Sequence, residues 1–188
     1  MIDCGKISAS LTLASCASTS VAVEPEIILI NHTDIEDVTE VDGVVSAIVL
    51  KEGASGYRYE TFNKGVEANA TGSVGTYLTR LSHQVIFRVF TKSQEIKDQL
   101  NALMNARVVA IVKNVSNAND EVKYEVYGLG NGLIVSDFAA PTTDGDGVVY
   151  TVTLSSDENA LEAQLPASFY ATSLEQTETA INALVSAN

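Results

Sequence analysis

Residues 77–91 read Tyr-Leu-Thr-Arg-Leu-Ser-His-Gln-Val-Ile-Phe-Arg-Val-Phe-Thr. The odd positions are Tyr77, Thr79, Leu81, His83, Val85, Phe87, Val89 and Thr91; the even ones are Leu78, Arg80, Ser82, Gln84, Ile86, Arg88 and Phe90. β-Branched and aromatic residues in this pattern read as a single strand. At roughly 3.3 Å per residue it would reach about 50 Å, where an ordinary strand reaches about 20 Å. The half Val85 to Thr91 is apolar enough for the subunit's own core, with Val85, Phe87 and Val89 facing inward. The half Tyr77 to Gln84 mixes Tyr77, Leu78 and Leu81 with Arg80 and Gln84, the composition of a surface that buries against a partner. In Tyr57 to Phe62, Tyr57, Tyr59 and Thr61 alternate with Arg58, Glu60 and Phe62, which makes this segment the expected hairpin partner. The candidate subunit interface is therefore Tyr57, Tyr59, Phe62, Tyr77, Leu78, Arg80 and Leu81.

On either side of this ribbon the chain is mostly strand. Ile27-Ile28-Leu29-Ile30 is a continuous apolar run, as in a strand buried on both faces, and Asn31 to Asp34 supply turn or cap chemistry. Gly43 to Leu50 reads as a second strand. Gly65, Gly72 and Gly75 punctuate a polar stretch before Tyr77. Ser93 caps a helix over residues 93–105, with Ile96, Leu100, Leu103 and Met104 on one face. Strands follow at Arg107 to Lys113, Glu121 to Tyr127, Leu133 to Phe138 and Val148 to Leu154. Ser173 and Gln176 form a capping box for a closing helix whose stripe is Leu174, Ile181, Leu184 and Val185, expected to dock on a neighbour or on the core. The expected fold is mainly β: an antiparallel β-barrel or sandwich with one flanking helix, an extended hairpin and arms, and a C-terminal helix. It divides into an N-terminal arm at 1–23, a β domain at 24–170 and the C-terminal helix at 171–188.

With 188 residues, 46% of them hydrophobic, the chain can bury a full core unaided by metal or disulfide. Its two cysteines, Cys4 and Cys16, are too few for a disulfide framework. The net charge is −13, and after Lys123 there are acids but no Lys or Arg. Such a chain is a poor nucleic-acid binder, although an acidic wall suits a path along which DNA slides without being trapped. Leu13-Ala14-Ser15-Cys16 has the look of a lipoprotein cleavage box, but Asp3 precedes Lys6 and Ser8, Ser10 and Thr12 interrupt the apolar positions, so export is not expected. No stretch approaches the roughly 20 apolar residues of a membrane span.

The tempting motifs resolve into turns. Gly128-Leu129-Gly130-Asn131-Gly132 lacks the following helix of a phosphate loop and reads as a bulge or tight turn. Asp144-Gly145-Asp146-Gly147 lacks the twelfth-position Glu of a calcium loop and reads as a hairpin turn. His32 and His83 have no metal-ligand spacing, and His83 is expected to be a hydrogen-bonded structural histidine. No nucleophile-elbow pattern or distinctive acid pair is present. No enzyme activity, metal or cofactor is expected.

The order of elements resembles the tail tube and major tail proteins of tailed phages, particularly a group seen among Bacteroides phages and prophages. The residues that carry the resemblance are Cys4 and Cys16, Ile27 to Asp34, Val109 to Lys113, Tyr124 to Asp137, Asp146 to Leu154, Pro166 and Phe169-Tyr170. The helix after Ala171 lies outside it. The resemblance implies a homo-oligomeric ring, six-fold, stacked into a tube in the virion. Loops and arms would make the ring-to-ring contacts, other tail proteins would be partners, DNA would pass through the lumen, and assembly would occur in the bacterial host cytoplasm. A tube subunit of a contractile injection apparatus would share the fold, and an exported fimbrial or surface lipoprotein would account for Cys16.

Overall fold

A computed structural model describes residues 26–62, 65–74, 79–114, 120–141, 145 and 147–185. The expected N-terminal arm lies outside them, as do Tyr77, Leu78 and most of the loop around Asp144. The strands among the described residues are β1 (Glu26–Asn31), β2 (Ile35–Val41), β3 (Val44–Leu50), β4 (Tyr57–Glu60), β5 (Val66–Val74), β6 (Thr79–Val89), β7 (Val108–Lys113), β8 (Tyr124–Tyr127), β9 (Leu133–Ala139), β10 (Tyr150–Ser156) and β11 (Ala167–Phe169). Helix α1 (Gln94–Leu103) follows β6, and α2 (Leu174–Leu184) ends the described chain. Both helices start as expected: Ser93 Oγ accepts the Ile96 N–H at 3.2 Å and Ser173 Oγ accepts the Gln176 N–H at 3.2 Å.

The protein is mainly β and its strand pairs are antiparallel except for β3 with β11. One path of neighbours runs β2-β3-β11-β8-β7-β9-β10-β6-β5, and β1 joins it through β7 while also pairing with β4. β1 covers β7 from Val108 to Val112, so the opposite edge of β7 is shared: β8 pairs along Ala110 to Lys113 and β9 meets Val108 through Leu133. The sheet forks there. Of the two architectures expected, the closed barrel is corrected: β2 and β5 end the path and do not pair with each other, so the sheet stays open.

The alternation of side chains on β1 and β7 explains their unbroken apolar sequences. Ile27 and Leu29 with Val108, Ala110 and Val112 enter one core, which β6 (Val85, Phe87, Val89), β10 (Val152, Leu154) and α1 (Ile96, Leu100, Leu103) close. Ile28 and Ile30 with Val109 and Ile111 enter a second core, closed by β3 (Val45, Ile48), Phe169 of β11, and Ile181 and Leu184 of α2. Over Ile27–Ile30 and Val108–Val112 both faces of the pair are covered, so every position there is apolar. Each fully buried Ile, Leu or Val contributes about 1.5–3 kcal/mol relative to an exposed one. Helix α2 therefore docks on the subunit's own core, as one of the two expected placements had it.

The expected pairing of the long strand is overturned. Tyr57–Phe62 is not the hairpin partner of the long strand. β4 pairs with β1, Tyr57 opposite Leu29 and Glu60 opposite Glu26, and the edge of β6 is taken by β5, from Val66 opposite Phe87 to Val74 opposite Thr79. The polar stretch 65–75 thus contains a nine-residue strand. β2, a segment to which the sequence reading assigned no element, is a strand joined to β3 by Asp42 and Gly43, both with positive φ, which is the two-residue turn whose twist suits a hairpin.

Candidate assembly surface and the turn behind it

The expected interface residues divide three ways. Tyr59 is a correction: it is 2% exposed and belongs to the first core, where its ring meets Phe87 edge-on at 5.6 Å. Since β4 pairs with β1, every second residue of β4 points into that core. Tyr57 is half-buried against the same cluster. Phe62 is half-buried and packs edge-on against Phe90 at 5.1 Å, while the Thr61 hydroxyl donates to the Arg88 carbonyl. Arg80 is exposed and Leu81 half-buried. The main chain of Leu81 is engaged, exchanging hydrogen bonds of 2.9 and 2.8 Å with Glu162. Tyr77 and Leu78 lie outside the described residues. The expected inward face of the strand is confirmed, with Val85, Phe87 and Val89 all buried.

Behind β6 sits the glycine-rich turn 128–132, which fills the fork between β8 and β9. Gly128 and Gly132 both have positive φ, and the Gly132 N–H donates to the Gly128 carbonyl at 2.9 Å. A Cβ at Gly132 would lie 2.4 Å from Arg107 Cγ, so only glycine fits. Three side chains from distant elements hold this turn. Glu162, almost fully buried, accepts the Gly130 N–H on Oε2 at 3.2 Å and the Asn131 N–H on Oε1 at 2.9 Å. Arg107 donates to the Asn131 carbonyl and to Asp157 at 3.1 Å. His83 Nδ1 accepts the Gly128 N–H at 3.1 Å, and its Nε2 bonds the Gln164 carbonyl at 2.9 Å.

A main-chain N–H is always a donor and a carbonyl always an acceptor, so these partners fix His83 as the neutral tautomer with its proton on Nε2. Burial holds its pKa below the ordinary histidine value, against the opposing pull of the Gln164 bond and the Glu162 and Glu125 carboxylates. With both nitrogens occupied by main chain, the ring has no lone pair free to take a substrate proton. A cavity of about 150 Å³ beside it is lined by Glu40, Leu129, Glu162 and Leu165 among others.

A second polar cluster ties α2 to the sheet. Glu178 accepts from Lys113 at 3.2 Å and from the Tyr124 hydroxyl at 3.1 Å, and Arg58 donates to Asn182 at 2.6 Å. The Lys113 bond holds the Glu178 pKa below the ordinary carboxylate range, and burial pushes the Tyr124 hydroxyl up to about 12. Opposite charges here pair within the subunit, Lys113 with Glu178 and Arg58 with Glu26 at 3.4 Å, around a cavity of about 280 Å³. Among the described residues no group of three or more His, Cys, Asp or Glu is placed to hold a metal ion. No described helix is long and apolar enough to cross a membrane.

The features that sequence reasoning missed are the sheet edges. Among the described residues β4 pairs only with β1, while the two ends of the main path, β2 and β5, pair only with β3 and with β6. The two differ in kind. β2 changes register twice against β3 and exposes Glu36, Asp37 and Glu40. β5 pairs with β6 over its full length without a shift, and its one charged residue, Glu67, is bonded to Arg88 at 2.7 Å. The Asp42-Gly43 pair was a usable signal for the first edge. No known family model matches the chain, and no curated protein matches it in sequence.

Proposed function

We propose that this chain is the subunit of a phage tail tube, a non-enzymatic structural protein that self-assembles into stacked rings. The ring order is six by the resemblance. DNA would pass through the lumen without specific binding, other tail proteins would cap the tube, and assembly would take place in the bacterial host cytoplasm. The observation that carries the reading is the edge of β5 that no other described strand pairs. Charges and bulges normally blunt an exposed edge against pairing with another chain, and β2 carries both. A straight nine-residue edge with a single, already paired charge invites a second copy. The net charge of −13 suits a conduit that repels phosphate.

The open main-chain groups are identifiable. The Arg88 N–H donates to the Gly65 carbonyl at 2.8 Å, whereas Val89 and Leu81 bond on the far side of β6, to Val149 and Glu162. Even-numbered residues of β6 thus face β5, and in the unshifted register odd-numbered residues of β5 face back. The main-chain groups of Val66, Ala68, Ala70 and Gly72 then point to the open edge. Ala70→Pro removes one outward N–H and leaves the β5–β6 ladder its bonds. We expect the variant to keep a wild-type circular dichroism spectrum and to form no rings or tubes in negative-stain images. Tubes formed as readily as by the wild type would overturn this placement of the interface.

A further inference from the structure

Asn131-Gly132 is the one Asn-Gly step in the sequence. In such a step the main-chain nitrogen of the glycine attacks the asparagine Cγ. The N–Cγ bond forms, the amide proton passes to solvent base, and the Cγ–Nδ2 bond breaks as ammonia departs. Water then opens the resulting succinimide to aspartate or isoaspartate. No cofactor or other protein is needed, and the missing Cβ of glycine is what lets the nitrogen approach.

The turn opposes each part of this reaction. The attacking nitrogen belongs to Gly132, whose N–H donates to the Gly128 carbonyl at 2.9 Å. The leaving nitrogen, Asn131 Nδ2, donates to the Leu161 carbonyl at 3.0 Å. The main chain on the asparagine side is held by Glu162, through the Asn131 and Gly130 N–H groups, and by Arg107 at the Asn131 carbonyl. Asn131 is itself exposed, so access of water does not limit the reaction. Only conformation does. We propose that Asn131 is a self-deamidation site held shut by the folded turn, with the Glu162 carboxylate as its latch.

The product is incompatible with reclosure. A carboxylate at position 131 turns an acceptor towards the Leu161 carbonyl in place of the lost donor, and sets a second negative charge beside Glu162. Isoaspartate in addition lengthens the main chain by one methylene inside a turn closed by the bond from the Gly132 N–H to the Gly128 carbonyl. A chain whose turn has stayed open is thereby marked permanently, and a chain that folded promptly is not. This inference does not depend on the tube reading.

The experiment is peptide mass mapping with isoaspartate detection at position 131, on full-length protein held in mildly alkaline buffer with and without urea. Folded wild type is expected to lose the Asn131 amide at least about tenfold more slowly than the denatured chain, as protection by a local opening equilibrium requires. Glu162→Ala is expected to speed the loss in buffer, and Glu162→Gln, which retains one acceptor oxygen, to give an intermediate rate. Circular dichroism identifies which variants remain folded. Equal rates for folded and denatured wild type would overturn the proposal. An unchanged rate in a folded Glu162 variant would remove Glu162 as the latch.

Discussion

The ring of Tyr59 gains from burial and from its edge-on contact with Phe87, yet its hydroxyl is buried with no hydrogen-bond partner among the described residues. Burial pushes that hydroxyl's pKa far above its ordinary value, because an ionised oxygen there would have neither water nor a donor. A buried polar group without a partner costs on the order of 1–3 kcal/mol. Tyr59→Phe removes that cost and keeps the ring, so it is expected to raise the midpoint of denaturant unfolding, by on the order of 1 kcal/mol in stability. A loss of stability would mean that the hydroxyl has a partner after all. The residue also explains one misreading. Alternation in Tyr57, Tyr59 and Thr61 correctly gave a strand with two faces, but pattern alone does not distinguish a face turned to a partner from one turned to the core. That depends on which strand lies alongside, and β1 does.

At the scale of elements, the strands and helices with strong apolar patterning were readable: β1, β3, β6, β7, β9 and β10, and both capped helices. β5 was not, since its inward face is made of Val66, Ala68 and Ala70, side chains too small to stand out from the glycines around them. Missing it made β4 the nearest available partner for β6. The glycine-rich turn was readable as a turn, while its hold on the fold was not: Glu162, Arg107 and His83 reach it from separate elements, and nothing in their local sequence announces that. His83 makes this hold sensitive to pH. Its pKa is lowered in the folded protein, so below the ordinary histidine value of about 6.5 the unfolded chain binds a proton that the folded chain does not. Stability is therefore complete above about pH 6.5 and declines as pH falls from there towards the folded pKa. Glu162, Glu125 and the Tyr127 ring surround the imidazole, and the two carboxylates soften the decline without reversing it. Denaturant unfolding is expected to weaken on acidification in wild type and to weaken less over the same window in His83→Gln. Identical slopes would show that other groups govern the acid response.

At the scale of the molecule, two cores share the central pair β1 and β7, and among the described residues the path of paired strands ends in β5 on one side and the acidic β2 on the other. In the tube proposed above, every copy brings the same net charge of −13, so association must overcome mutual repulsion before the short-range bonds of an edge can form. Screening decides how far that repulsion reaches: the Debye length falls from about 30 Å at 0.01 M salt to about 8 Å at 0.15 M. Main-chain hydrogen bonds between strands carry no net charge and are little affected over that range. Assembly should accordingly be slow or absent at low ionic strength and become favourable as salt rises, with no matching change in the stability of the monomer. Sedimentation velocity across a salt series, beside unfolding curves under the same conditions, separates the two quantities. The opposite trend, rings that fall apart as salt is added, would place oppositely charged side chains at the centre of the contact and would move the interface away from β5, whose single charge is already matched within the subunit.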